Sequence, residues 1–221
     1  MNYTIHYASS PVPPGTDWRH PVWQSAQTLA VDQFRPESSD HRPVTRARLL
    51  RGGDGIHGIF HVQDRFVRCV RTGYGGDVWK DACVEFFVEP RPGAGYFSFE
   101  FNCGGAFLAN HILDPTRTAN GFKRFTRVPE TLARSLQVRG SLPAVIEPER
   151  TESLDWTAQF FIPFALLASF VGPVEQGNGR SWRGNFFKCA EDNSHPHWAS
   201  WSPVDEFNFH RPACFGELRF E

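Results

Sequence analysis

The sequence predicts an all-β fold, a β-sandwich or jelly roll with one or two short helices, on three observations. Short β-rich runs, several with strict alternation, recur along most of the chain, and alternation marks a strand with one buried face. Clusters of Gly, Pro and Asp punctuate these runs, as in SSPVPPG, RGGDG and RPGAG. Only PFALLASF reads clearly as a helix, with Pro163 suited to its first turn. Many short strands with little helix fit two packed sheets. No internal repeat or low-complexity linker divides the 221 residues, so one domain is expected over 1–221.

Taken in order, residues 2–8 alternate as a strand and run into SSPVPPG. Residues 17–34, with Trp18 and Trp23, fit a short helix or a covering loop equally, and 35–43 read as loop. VTRARLLR places Val44, Arg46 and Arg48 on one face and Thr45, Ala47 and Leu49 on the other. RGGDG and IHGIFHVQD then complete a β-hairpin. The turn spells Gly53-x-Gly55-x-x-Gly58, nominally a dinucleotide fingerprint, but that motif needs a helix after its glycines and a β-rich run follows here. Further strands are expected over 66–71, 82–89, 95–102 and 106–112. Residues 113–135 read as polar and irregular. Strands resume at 135–140, 144–147, 155–162, 182–189, 198–201 and 214–220.

Bulk chemistry excludes some functions. The chain has 23 basic and 24 acidic residues and a net charge of -1, so it lacks the positive field that nucleic acid or an anionic membrane surface selects. No apolar run has the length of a membrane span. The five cysteines, Cys69, Cys83, Cys103, Cys189 and Cys214, form no CxxC and read as reduced core thiols. The N-terminal stretch lacks the basic and apolar regions of a signal peptide, which predicts a cytoplasmic location, or a secreted or periplasmic one where a leader has been removed. Seven Trp beside 21 Phe are more than one core usually takes, because each buried indole N–H needs a partner. Some are expected at the surface for a purpose.

Several segments together resemble a known family. IFHVQD, VWKDACVEFFVEP, YFSFEFNCGG, DWTAQFFIPFALL, WRGNFFKC, ASWSP and HRPACFGELRF follow one another in order across about 18–220. This succession resembles the family 9 carbohydrate-binding modules and their stand-alone relatives. The resemblance implies a jelly-roll sandwich that holds a sugar, often the reducing end of a glucan or xylan chain, between two tryptophan faces. Modules of this kind are commonly attached to xylanases, and some carry structural calcium. Trp79 matches the first sandwich tryptophan, Glu85 a hydroxyl-binding carboxylate and Asn102 a hydroxyl-binding amide. The second tryptophan is Trp198 or Trp201. Where the best-known members carry an arginine two residues before the amide, this chain has Glu100, which changes the expected sugar preference.

The residues themselves support such a site. Sugar rings offer C–H faces to flat aromatic rings and rim hydroxyls to carboxylates and amides. Alternation puts Cys83, Glu85 and Phe87 on one face of their strand, with Val84, Phe86 and Val88 on the other. Tyr96, Ser98, Glu100 and Asn102 likewise share a face opposite Phe97, Phe99 and Phe101. If the two strands pair, Glu85, Glu100 and Asn102 line one surface. An acidic site of this kind is expected to reject uronic acids and to prefer neutral or amino sugars.

Bland roles compete with each assignment. Trp79 fits a lid over the core, Glu85 an outward ion pair with an arginine, and Trp201 a core position. Trp18, Trp23, Trp156 and Trp182 read as core or covering residues. His195 and His197, near Asp192, have metal-ligand spacing but read as solvated loop residues, and His210 as a loop hydrogen-bonder. Asp77, Asp81 and Glu89 near Trp79 offer oxygen ligands for calcium, although no EF-hand spacing is present.

The function expected is non-catalytic carbohydrate binding associated with polysaccharide breakdown. The first alternative is a xylanase-like glycoside hydrolase using Glu85 and Glu100 as its two carboxyl groups. The second is a haem-binding sandwich. A methionine ligand for haem is nearly excluded because Met1 is the only methionine, so a bis-histidine site would be required.

Overall fold

The structure is a computed structural model and describes residues 1–119 and 121–221. Its strands, in chain order, are β1 (Asn2–Tyr7), β2 (Leu29–Val31), β3 (Gln33–Phe34), β4 (Val44–Arg51), β5 (Gly55–Asp64), β6 (Val67–Cys69), β7 (Cys83–Glu89) and β8 (Tyr96–Asn102). They continue as β9 (Phe107–Thr118), β10 (Gly121–Arg127), β11 (Gln137–Gly140), β12 (Ile146–Arg150), β13 (Leu154–Pro163), β14 (Ser181–Ala190), β15 (His197–Ser200) and β16 (Gly216–Phe220). The α-helices are α1 (Glu130–Ala133) and α2 (Phe164–Val171). The expected all-β sandwich with short helices is what the chain forms.

One layer runs β10-β9-β8-β7-β14-β16 and the other β4-β5-β13-β11. Strand β1 joins them. Its residues Asn2–Ile5 pair in parallel with β16, and His6 and Tyr7 pair in parallel with β4. Between the layers lies the main core, built from the faces alternation assigned to Val84, Phe86 and Val88 of β7, Phe97, Phe99 and Phe101 of β8 and Ala47 and Leu49 of β4, together with Phe60 and Val62 of β5. Phe160 stacks on Phe101 with ring centroids 4.8 Å apart. A Cβ at Gly58 would sit 2.1 Å from the Phe160 ring, so this glycine inside a strand makes room for a core aromatic. The Gly53-x-Gly55-x-x-Gly58 stretch is a hairpin followed by strand β5, as read.

Residues 17–34 form a 3-10 turn (Pro21–Ser25) and the short strands β2 and β3. Trp23 seals the outer face of the second layer with Val22, Ala26, Leu50 and Ile59. Trp156 and Trp182 are core, and Trp18 stacks on His61 with Arg48 over its ring, so these four are covering and core residues as expected.

One expectation fails. Residues 113–135 are not irregular: β9 continues to Thr118 and β10 returns along it, forming a hairpin arm, before α1. Asn120, within that stretch, lies outside the described residues. Beyond Ile112 the arm is mostly polar and much of it stands clear of the sandwich. Of its described apolar side chains only Phe122 and Phe125 turn toward a cleft on the outer face of the first layer, so it lacks the apolar alternation that marks a half-buried strand.

Charge is also buried between the layers. Lys188 of β14 is fully buried, with its Nζ 3.5 Å from Oδ2 of the buried Asp64 and 2.8 Å from Nε2 of His197. Asp64 also accepts hydrogen bonds from Trp156 Nε1 and the Arg65 amide, and meets His41 Nε2 at 2.8 Å. His195 faces elsewhere, stacked on Phe66 at 3.6 Å. The His195–His197 pair therefore does not converge as a ligand pair, and His197 is a core residue rather than a solvated one.

Candidate functional site

The outer face of the first layer carries the chemistry. Strands β7 and β8 pair with Glu85 directly opposite Glu100 and Cys83 opposite Asn102. On the other edge of β7, Cys189 of β14 lies opposite Cys83. These side chains rise from one sheet face. The segment after β15 covers part of that face through Val204, Phe209 and Phe215. The β9–β10 arm walls another side. What remains is a cleft of about 700 Å³.

Trp79, Trp198, Glu85 and Glu100 all line this cleft. Trp79 sits half-buried in a 3-10 turn (Val78–Lys80) at the entrance to β7 and packs against a small cluster containing Val78, Cys83, Leu108 and Cys189. Trp198, also half-buried, comes from β15 and meets Phe207 edge-on at 4.9 Å, while its Nε1 donates to Glu191. The structure thus brings together four of the six expected site residues and separates Trp198 from Trp201. Trp201 packs in the main core, its ring edge-on to Phe186 at 5.7 Å and seated where Gly216 has no side chain. Asn102 is not in the cleft lining either. Its amide donates to Asp81 and the Arg71 carbonyl and accepts from the Ala106 N–H, so it ties the loop after β8 to the turn before β7. Alternation put Asn102 on the right face, but that face is covered at its position.

Glu85 and Glu100 are both buried. Loss of water is the largest influence on each and favours the neutral acid. Glu100 is pushed up to about 7 by burial, although the Ser98 hydroxyl and Arg117 pull it down. Glu85 is pushed well above the ordinary range by burial, then by the Cys189 thiol and by Glu100. Two neighbouring carboxyl groups that resist ionisation present O–H donors as well as acceptors, both of which sugar hydroxyls can use. Arg117 and Arg127 line the same cleft, alongside Glu191 and Glu206. The cleft is therefore of mixed charge and not simply acidic, as expected from Glu85 and Glu100 alone.

Asn110 of β9 is a cleft residue that the sequence reading missed. Its Nδ2 donates to Ser98, while its buried Oδ1 has no hydrogen-bond partner. The signal was there: Leu108, Asn110 and Ile112 alternate on a strand next to β8. His210 is the loop hydrogen-bonder expected: it lies between β15 and β16, buried at the cleft wall, with its Nδ1 2.9 Å from the Tyr96 hydroxyl. Burial holds it well below the ordinary histidine range.

The three acids considered for calcium do not converge. Asp81 is buried against Arg71, Asp77 pairs with Lys80, and Glu89 meets Arg183 at the opposite end of β7. Each faces a cation of the chain's own. The cysteines are free, with Cys69, Cys83, Cys103 and Cys189 buried and Cys214 half-buried. No helix among the described residues is long and apolar enough to cross a membrane.

The sequence profile described as carbohydrate-binding family 9 matches residues 22–220. The chain belongs to carbohydrate-binding family 9. Among solved structures, it is similar to a candidate carbohydrate-binding protein from Bacteroides uniformis, 28% identical over 100% of this chain and 99% of that one, with a TM-score of 0.84. It also shares its fold with a family 9 module from Caldicellulosiruptor kristjanssonii. The glucose complex of that module is 12% identical, with a TM-score of 0.65 over 100% of this chain and 96% of that one. Its cellotriose complex is 13% identical, with a TM-score of 0.66 over 100% and 94%. No curated protein matches the chain at a significant level.

Proposed function

We propose that this family 9 chain holds a neutral glucan- or xylan-type oligosaccharide, or the end of such a chain, between Trp79 and Trp198, in association with polysaccharide breakdown and without cleaving the sugar. The observation that carries the reading is the meeting of two half-buried indoles and the Glu85–Glu100 pair in one cleft. The indoles supply flat apolar faces for the C–H faces of a sugar, and the carboxyl groups reach its rim hydroxyls. Asn110, with its unpartnered carbonyl oxygen, adds an acceptor.

The glycosidase reading is weaker on electrostatics. Hydrolysis needs an acid and a base or nucleophile flanking the scissile bond, with their proton affinities driven apart. Here burial moves both carboxyl groups in the same direction, toward the neutral acid.

Calorimetric titration with glucose, cellobiose and xylobiose, with and without calcium, tests the proposal. In Trp79→Ala and Trp198→Ala, sugar binding should weaken by about 2 kcal/mol or more, as for a central aromatic anchor, while melting temperatures change little. Loss of stability with intact binding would refute the cleft assignment. Aryl glycoside turnover that disappears in Glu85→Gln would transfer the pair to the hydrolase reading.

A further inference from the structure

We propose that Cys83, Cys189 and Glu85 form a binding site for a thiophilic divalent cation of the zinc type at the floor of the cleft. The register produces the site. Cys83 and Cys189 are direct partners across β7 and β14, and Glu85 stands two residues along β7 on the same face. One ligand atom from each lies within 4.8 Å of the other two. Around tetrahedral zinc, metal–ligand bonds of roughly 2.0–2.3 Å separate neighbouring ligand atoms by roughly 3.5–4 Å, so small side-chain rotations close the set.

The donor chemistry selects the ion. Two thiolates and one carboxylate suit zinc or cobalt, whereas calcium and magnesium require oxygen ligands throughout. Glu85 is a buried carboxyl group whose hydrogen-bond donor is the Cys189 thiol, at 3.2 Å, and a thiol is a weak donor. A cation in that place would compensate the buried group far better. Lys188, the nearest buried ammonium, points to the opposite side of its sheet and is engaged with Asp64 and His197. Glu85 and Cys189 line the cleft, which gives the ion a path in and leaves a fourth position facing the cavity. Binding displaces a proton from each thiol, and one from Glu85 where it is protonated, so apparent affinity rises with pH.

This site shares Glu85 with the sugar reading, but its test has a readout of its own. Reduced, metal-free protein is titrated with cobalt(II). A saturable thiolate-to-cobalt charge-transfer band at one equivalent, bleached by zinc, is expected. Cys83→Ser and Cys189→Ser should each remove roughly half of the band and weaken cobalt binding roughly tenfold or more. Glu85→Gln should keep the band and weaken affinity, while Cys69→Ala and Cys214→Ser should change neither. Because serine at a fully buried position can unfold the chain, melting of the unmodified protein with and without zinc is read in parallel, and saturating zinc should raise the midpoint. No band, a band left at full intensity in either serine variant, or a melting rise without a band would each overturn the proposal.

Discussion

Replacing His197 with glutamine tests how the buried charge between the layers is balanced. His197 Nδ1 lies 2.8 Å from the His195 carbonyl oxygen and its Nε2 lies 2.8 Å from Lys188 Nζ. That pattern fits a neutral ring that donates at Nδ1 and accepts from an ammonium at Nε2. A proton on Nε2 would set two cations against each other out of water. Burial, then Lys188, accordingly lowers His197 to about 3. A histidine whose folded value is depressed below its ordinary 6.5 stabilises the fold fully above that value and progressively less as pH falls toward the folded one. Each pH unit in that window costs about 1.4 kcal/mol. Between pH 7.5 and 4.5 this one residue should remove about 3 kcal/mol of stability. Glutamine keeps an acceptor for Lys188 and does not titrate. Urea unfolding of both proteins at several pH values supplies the comparison, because other titrating groups contribute alike to each. His197→Gln should start less stable near pH 7.5, by about 1 kcal/mol for the altered hydrogen bond, and the ordering should reverse near pH 4.5. Parallel curves across this range would show that His197 takes up its proton alike in the folded and unfolded chain and would refute the argument.

Two further perturbations separate core from cleft. Asp64→Ala leaves the Lys188 ammonium without its carboxylate, and unfolding at pH 7 should show a loss of about 3–5 kcal/mol. The gap to the parent should narrow below about pH 4, because Asp64, held below the ordinary carboxylate range, loses its contribution only as pH falls through its folded value. Trp201→Ala should cost about 3–5 kcal/mol by opening a core cavity while leaving the sugar affinity of the folded protein intact in calorimetry, the reverse of Trp198→Ala.

The sandwich was legible because alternation, Gly and Pro punctuation and phenylalanine-rich strands all express burial on one face. The β7–β8 face was legible for the same reason, down to the neighbouring Glu85 and Glu100. What alternation does not report is what covers a face. Asn102 and Cys83 share the face of Glu85, yet in the folded chain Asn102 is closed over by the turn that carries Asp81. Trp198 and Trp201 are three residues apart, and their separation into cleft and core depends on where β15 ends. The β9–β10 arm was invisible because a largely solvated hairpin with only two apolar side chains, Phe122 and Phe125, in its second strand has no apolar period. Cys83 and Cys189, far apart in the chain, meet only through strand register, which cysteine spacing cannot express.

The two-sided pairing of β1 bears on how the molecule is assembled. Its first residues need β16 as a neighbour, and the Tyr7 amide donates to the carbonyl of Glu221. During synthesis β1 therefore waits for β16, which is made much later. Until that strand arrives, β4 offers it only the short pairing at His6 and Tyr7. Contacts between distant parts of a chain are slow to form because the intervening loop must close first. A nascent chain would thus carry both layers with this seam open, and open strand edges invite pairing between molecules. Yield on refolding should be limited by closure of this seam, far from the cleft, and dilution should favour closure within one chain over pairing between chains.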